Sequence, residues 1–257
     1  MERRFMELEI GKIAYVAKGQ GPALILMHSL GFSADVWSKV IESLAERYSV
    51  YALDMLGHGY SDKPPKNYLI EDYSQSVIAF MDQIGLEKAL VCGNSIGAFI
   101  ALEMAATFPQ RLDKLILVGL AVRDAWQRME RLILAASTCD LEGNPIPFSM
   151  AQIATMGFTE ETQGLLEWIN QQWMRAGKWT LKGAIACTIY DLIPKLPLMK
   201  CPTLVLYGSQ DIVRESGKIL VQGIKGARYA LIENGGHLPQ MDNPKAFIQE
   251  VNSFLGL

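Results

Sequence analysis

The chain has 257 residues, of which 50% are hydrophobic and 20% charged, with a formal net charge of -3. That is the composition of a packed globular protein with one large domain, or one core carrying an inserted subdomain. Acidic and basic residues are mixed, with no basic block and no apolar run of membrane-spanning length, so neither nucleic acid nor a membrane is an expected partner.

The segment Met1–Glu7 holds two arginines without an apolar stretch behind them, which reads as a mature cytoplasmic start rather than a signal peptide. Phe5–Ala17 alternates weakly around Gly11 and reads as a leading hairpin. Short apolar runs then alternate with longer amphipathic stretches, the pattern of βαβ units. Strands are predicted at Ala23–Met27, Tyr48–Leu53, Ala89–Cys92, Leu115–Val118, Thr203–Tyr207 and Tyr229–Ile232. Their unbroken apolar character suits parallel strands covered on both faces. Helices are expected near 34–47, 71–84, 96–107, 214–223 and 244–255.

Between about Ala121 and Pro197 the alternation stops. This stretch has no strand-like run, carries Trp126, Trp168, Trp173 and Trp179, and shows helical spacing near Trp126–Ala136 and Glu160–Arg175. It is too long for a structureless loop inside a compact domain. The expected fold class is therefore α/β: a mostly parallel central sheet flanked by helices, its core formed by 1–120 and 198–257, with 121–197 inserted between two strands as a helical cap. Four arginines near this insertion, Arg123, Arg128, Arg131 and Arg175, could grip an acidic substrate or be solvated surface groups.

The four cysteines, Cys92, Cys139, Cys187 and Cys201, form no CxxC pair and read as free thiols, so neither a metal site nor a disulfide framework is expected. The histidines are His28, His58 and His237, which leaves few choices for a general base near neutral pH.

Gly93-Asn94-Ser95-Ile96-Gly97 follows an apolar strand and opens a helix, the context that a GxSxG nucleophile elbow requires. A sharp strand-to-helix turn presents Ser95 above the sheet, and the flanking glycines relieve crowding there. A helix N-cap is the competing role for this serine, but a cap needs no flanking glycines. His237 lies after the last apolar strand, at the sheet edge where Ser95 emerges, and is the expected base. Asp211 closes Leu204–Asp211 at the same edge and is the expected orienting acid, with Asp124 as the alternative. Asp242 reads as the cap of the helix starting at Asn243-Pro244. The chain order Ser95, Asp211, His237 is the one expected with such an elbow. Oxyanion donors are assigned to the backbone N–H groups of Ile96 and of Leu30, in the loop after the first apolar strand.

Together these motifs resemble the α/β-hydrolase superfamily. His28-Ser29-Leu30-Gly31 resembles its HG oxyanion loop, and Asp54–Ser61 its DxxGxGxS turn, which by that resemblance makes Asp54 and His58 structural. Two positions depart from the pattern: Ser29 and Ala98 stand where glycine is usual. Asn94 resembles the GNSxGG form of C–C bond hydrolases acting on ring-cleavage products, but those carry Trp where this chain has Leu238. The loop Ser29-Leu30-Gly31 followed by Trp37 looks closer to enol-lactonases and small carboxylesterases. The resemblance implies hydrolysis of a small-molecule ester or lactone of a small to medium apolar acid, by a monomer or homodimer that needs no metal or organic cofactor. C–C bond hydrolysis, or a ligand receptor or cofactor-free lyase reusing the fold, are the alternatives.

Overall fold

In the computed structural model, which describes residues 1–154 and 162–256, the chain opens with an antiparallel pair, β1 (Arg4–Leu8) and β2 (Gly11–Lys18). β2 also pairs antiparallel with β4 (Ser49–Leu53), which runs parallel to β3 (Ala23–Met27). β5 (Ala89–Asn94), β6 (Leu112–Val118), β7 (Thr203–Gly208) and β8 (Arg228–Ile232) extend the sheet in parallel. The sheet has eight strands in the order β1-β2-β4-β3-β5-β6-β7-β8.

Helices cover both faces, and the strand sequences show why. Successive side chains of a strand point to opposite faces, so a strand buried on both sides is apolar throughout. Leu24 and Leu26 pack with Ile41 and Leu44 of α1 (Ile41–Ala45) and with Phe247 and Val251 of α10 (Pro244–Leu255). Ile25 and Met27 pack on the opposite face, with Val77 and Phe80 of α2 (Ile70–Gln83) and Phe99 of α3 (Ile96–Thr107). α8 (Ser216–Gly223) joins that second face through Leu220, and the short α9 (Pro239–Asp242) precedes α10.

Two sequence expectations are corrected here. Trp37, Val40, Ile41 and Leu44 have helical spacing, but the segment near 34–47 is split into a 3-10 turn, Ala34–Trp37, and α1. Its first turn is pinned to the loop after β4, because the Ala34 N–H donates to Asp54 Oδ1 at 2.7 Å. The cap of α10 is Asn243, whose side chain accepts from the Ala246 N–H at 3.3 Å, whereas Asp242 turns the other way.

Between β6 and β7 come α4 (Ala125–Ser137), α5 (Met150–Ala154), α6 (Gln163–Ala176) and α7 (Trp179–Ile189). The start of the predicted Glu160–Arg175 helix lies outside the described residues. α4 opens with a capping box, in which Asp124 accepts from the Gln127 N–H and the Gln127 side chain accepts from the Asp124 N–H. This helical layer sits closely on the core. A Cβ on Gly31 would lie 2.5 Å from the Trp173 ring, and one on Gly57 would lie 2.4 Å from the Trp179 ring. Buried Gln172 meets the Ser33 hydroxyl at 2.7 Å. Tyr60 is sandwiched by cations, with the Arg3 guanidinium 4.3 Å and the Arg175 guanidinium 4.2 Å from its ring centre. Arg3 also pairs with Asp35 at 2.9 Å and with fully buried Asp54 at 3.1 Å.

Candidate active site

The sheet grows from β3 to β4 on one side and from β3 to β5 on the other. Such a reversal leaves a crevice at the carboxyl ends of the two central strands, the usual ligand position in open α/β sheets. The Ser29-Leu30-Gly31 loop leaves β3 at this crevice, and Ser95 leaves β5 beside it.

Ser95 has φ 56° and ψ -114°; among the described residues only Ser95 and Asn234 are non-glycine with positive φ. A side chain in this region is strained by roughly 1–3 kcal/mol, and such strain persists where the surroundings enforce it. Here the Ser95 N–H still donates to Val118 O at 2.9 Å, as in a strand, while its carbonyl already accepts from the Ala98 N–H at 2.9 Å, as in a helix. The flanking glycines make the turn possible. A Cβ on Gly93 would lie 2.0 Å from Gly97 O, and one on Gly97 would lie 2.4 Å from Met27 O. The Ser95 side chain makes no capping bond to α3, so its hydroxyl is not used as a helix cap.

Asp211 is fully buried, with its carboxylate oxygens 3.1 and 3.0 Å from His237 Nδ1. Asp211 Oδ1 also accepts from the Val213 N–H at 3.0 Å. A carboxylate acceptor at Nδ1 fixes the tautomer and leaves Nε2 free to take a proton. The loops carrying the two residues are zipped together, with the Ser209 N–H donating to Ile232 O at 2.9 Å and the Gln210 N–H to Gly235 O at 2.8 Å. Asp124, the alternative acid, is exposed and occupied in capping α4.

Sequence reasoning missed the groups that hold the histidine loop. Asn94 Nδ2 donates to His237 O at 3.1 Å and to Val118 O at 3.3 Å, and Asp242 Oδ2 accepts from the Gly236 N–H at 2.8 Å. Asn94 was visible only as part of a motif, and its partner lies 143 positions away in sequence.

Ser95 and His237 face one cavity of about 280 Å³, and Ser29 and Leu30 line it too. No hydrogen bond joins the Ser95 hydroxyl to the His237 ring among the described residues. Such contacts are often long in ligand-free sites and tighten around substrate. The Leu30 N–H has no acceptor among the described residues, and Ile96, as the first residue of α3, has no carbonyl four positions back within its helix. Both amides are therefore available to an incoming oxygen. Phe99, Phe148, Trp173 and Leu238 supply apolar wall. Among the described residues no group of three or more His, Cys, Asp or Glu side chains could hold a metal ion.

The other histidines are fully buried and do not line the cavity. His28 donates from Nδ1 to Ser29 O at 2.7 Å and accepts at Nε2 from the Met55 N–H at 3.0 Å. A second proton would break that accepted bond, and burial pushes the imidazole down to about 4. His58 is likewise held well below its ordinary value, by burial first and then by His28 and Lys63. Asp54 accepts from the Tyr60 N–H at 2.8 Å as well as from Ala34, so the turn after β4 is built around it.

The fold is that of the α/β-hydrolases: an eight-stranded, mostly parallel sheet with helices on both faces. The family model described as alpha/beta hydrolase fold matches residues 22–137. In sequence the chain resembles the 3-oxoadipate enol-lactonase 2 of Acinetobacter baylyi, at 28% identity across 94% of this chain and 92% of that protein. It is similarly related to a pimeloyl-acyl-carrier-protein methyl ester esterase of Aeromonas hydrophila, 27% identical across 93% of this chain and 97% of that protein. A hydrolase of Pseudomonas aeruginosa has a similar crystal structure, with a TM-score of 0.86 and 26% identity, covering 99% of this chain and 98% of its own. The resemblance is thus to hydrolases, among them hydrolases of esters and lactones.

Proposed function

We propose that this protein is a serine hydrolase cleaving a carboxylic ester or lactone of a small to medium apolar acid. The observation that carries the reading is Ser95 itself: a strained serine with an uncommitted hydroxyl, facing the same cavity as an imidazole held by a buried carboxylate. His237 takes the Ser95 proton as the hydroxyl attacks the carbonyl carbon. The oxyanion is received by the Leu30 and Ile96 N–H groups. His237 returns the proton to the leaving alkoxide, and an acyl-enzyme on Ser95 remains. The imidazole then deprotonates a water that attacks the ester carbon, freeing the acid and regenerating Ser95. Asp211 orients the ring and stabilises its imidazolium form throughout. Segment 121–197 acts as the cap that roofs the cavity and sets what enters.

The sequence favoured C–C bond hydrolysis only through Asn94, and a bond from Asn94 to the His237 carbonyl accounts for that residue without reference to any substrate. Turnover of p-nitrophenyl esters of rising acyl length tests the proposal, together with labelling by a fluorophosphonate. Ser95→Ala should abolish both. Labelling that survives Ser95→Ala sinks the nucleophile assignment. Absence of turnover with tight binding of a small molecule would replace it with a receptor.

A further inference from the structure

Of the four arginines near the helical layer, two are committed elsewhere. Arg128 donates from Nε to Arg123 O at 3.0 Å and pairs with Asp191 at 3.3 Å. Arg175 lies over Tyr60. Arg123 and Arg131 behave differently. Both line the cavity that holds Ser95 and His237. Arg123 immediately precedes the Asp124 cap of α4, and its carbonyl is fixed by Arg128. Arg131 stands on α4 with Leu134 and Thr138 three and seven positions on, so all project to one helical face, and all line the same cavity. Among the described residues neither guanidinium has a hydrogen bond or an ion pair, although both are half-buried. Burial, followed by the charge of Arg131, holds the Arg123 guanidinium below its ordinary value, and burial does the same at Arg131.

A guanidinium stays charged in proteins, so the cavity wall carries two like charges, neither with an ion-pair partner among the described residues. The carboxylate felt by Arg123 is Asp211, which is already bound to His237. Two planar forks with ten N–H donors between them match the flat, two-oxygen geometry of a carboxylate. Phe99, Leu134 and Val213 give the nearby wall its apolar part, Ser137, Thr138 and Cys187 add neutral polar groups, and among the described residues no carboxylate lines the cavity. We infer that Arg123 and Arg131 form an anion subsite, and that the substrate is an ester or lactone that also bears a carboxylate. This rests on the hydrolase reading and narrows it: the apolar wall takes the carbon chain, Ser95 takes the carbonyl, and the arginines take the second acid group.

The test compares p-nitrophenyl hemiesters of glutaric and adipic acid with the neutral p-nitrophenyl pentanoate and hexanoate. Wild type should prefer the hemiesters in kcat/KM by about tenfold or more, the range of a charge-assisted hydrogen bond, and the preference should sit mainly in KM. Arg131→Gln and Arg123→Gln should each reduce that ratio by about tenfold. In parallel, calorimetry with adipate should show binding to wild type that both substitutions weaken. A preference that either substitution reduces, or adipate binding that either weakens, supports the subsite. Absence of both effects overturns it. If wild type turns over no ester at all, the hydrolase reading fails, and the adipate measurement then decides the subsite alone. Wild-type selectivity is informative even if a variant misfolds.

Discussion

Replacing Asp211 by asparagine separates two carboxylates that the sequence left in competition. Asp211→Asn keeps the shape but offers the His237 ring a different partner, and kcat should fall roughly 10⁴-fold with little change in KM. Asp124→Asn should leave kcat unaltered, since that side chain is spent on the first turn of α4. A larger loss for Asp124→Asn would reverse the assignment. Chain order and the preceding strand pointed to Asp211 without knowledge of distant partners, and the carboxylate found against His237 Nδ1 is its own. Asn94 and Asp242 were not legible in the same way. Their work is to bond the backbone around Gly236 and His237, and a backbone partner leaves no mark on residue type.

The β5–α3 elbow is the element on which the site depends. Gly97→Ala would drive a Cβ into the Met27 carbonyl at 2.4 Å and the His28 carbonyl at 2.9 Å, both backbone atoms at the end of β3. Relief requires α3 to move off the sheet, so the variant should lose about 3 kcal/mol or more and much of its activity. Denaturant unfolding together with fluorophosphonate labelling checks this. Near-native values in both would mean that the crowding is easily relieved. Elements of this kind were readable because a buried strand, a glycine pair and a helix are all local signals. α5 and α7 were not read: the first is short, and the second is apolar around most of its circumference, so neither gives a clear amphipathic stripe. The split near Ala34–Ala45 was hidden for the opposite reason. Its apolar spacing is helical, and what interrupts it is the carboxylate of Asp54 from another strand end.

For the molecule as a whole, the buried histidines set a limit on acid tolerance. His28 is held near 4 in the folded protein against an ordinary 6.5, and His58 is shifted in the same direction. Unfolding lets each ring take up a proton that the folded state refuses. Stability is therefore undiminished above about pH 6.5 and falls as the pH drops from there towards 4, with His28 alone contributing about 3 kcal/mol of loss across that window. Denaturant titrations between pH 7.5 and 4.5 should show this slope. A flat profile would mean that the rings charge without unfolding. The Tyr60 sandwich bears on a different undertaking, the exchange of specificity between relatives by grafting. Arg3, which comes before the first strand, neutralises buried Asp54 and shares Tyr60 with Arg175 of α6. Gly31, Ser33 and Gly57 are likewise shaped to the helices above them. A chimera that transplanted only the segment between β6 and β7 would set foreign side chains on a floor moulded to Trp173 and Trp179. The transplantable unit is discontinuous: it includes the helices between β6 and β7 and the handful of loop residues that they touch.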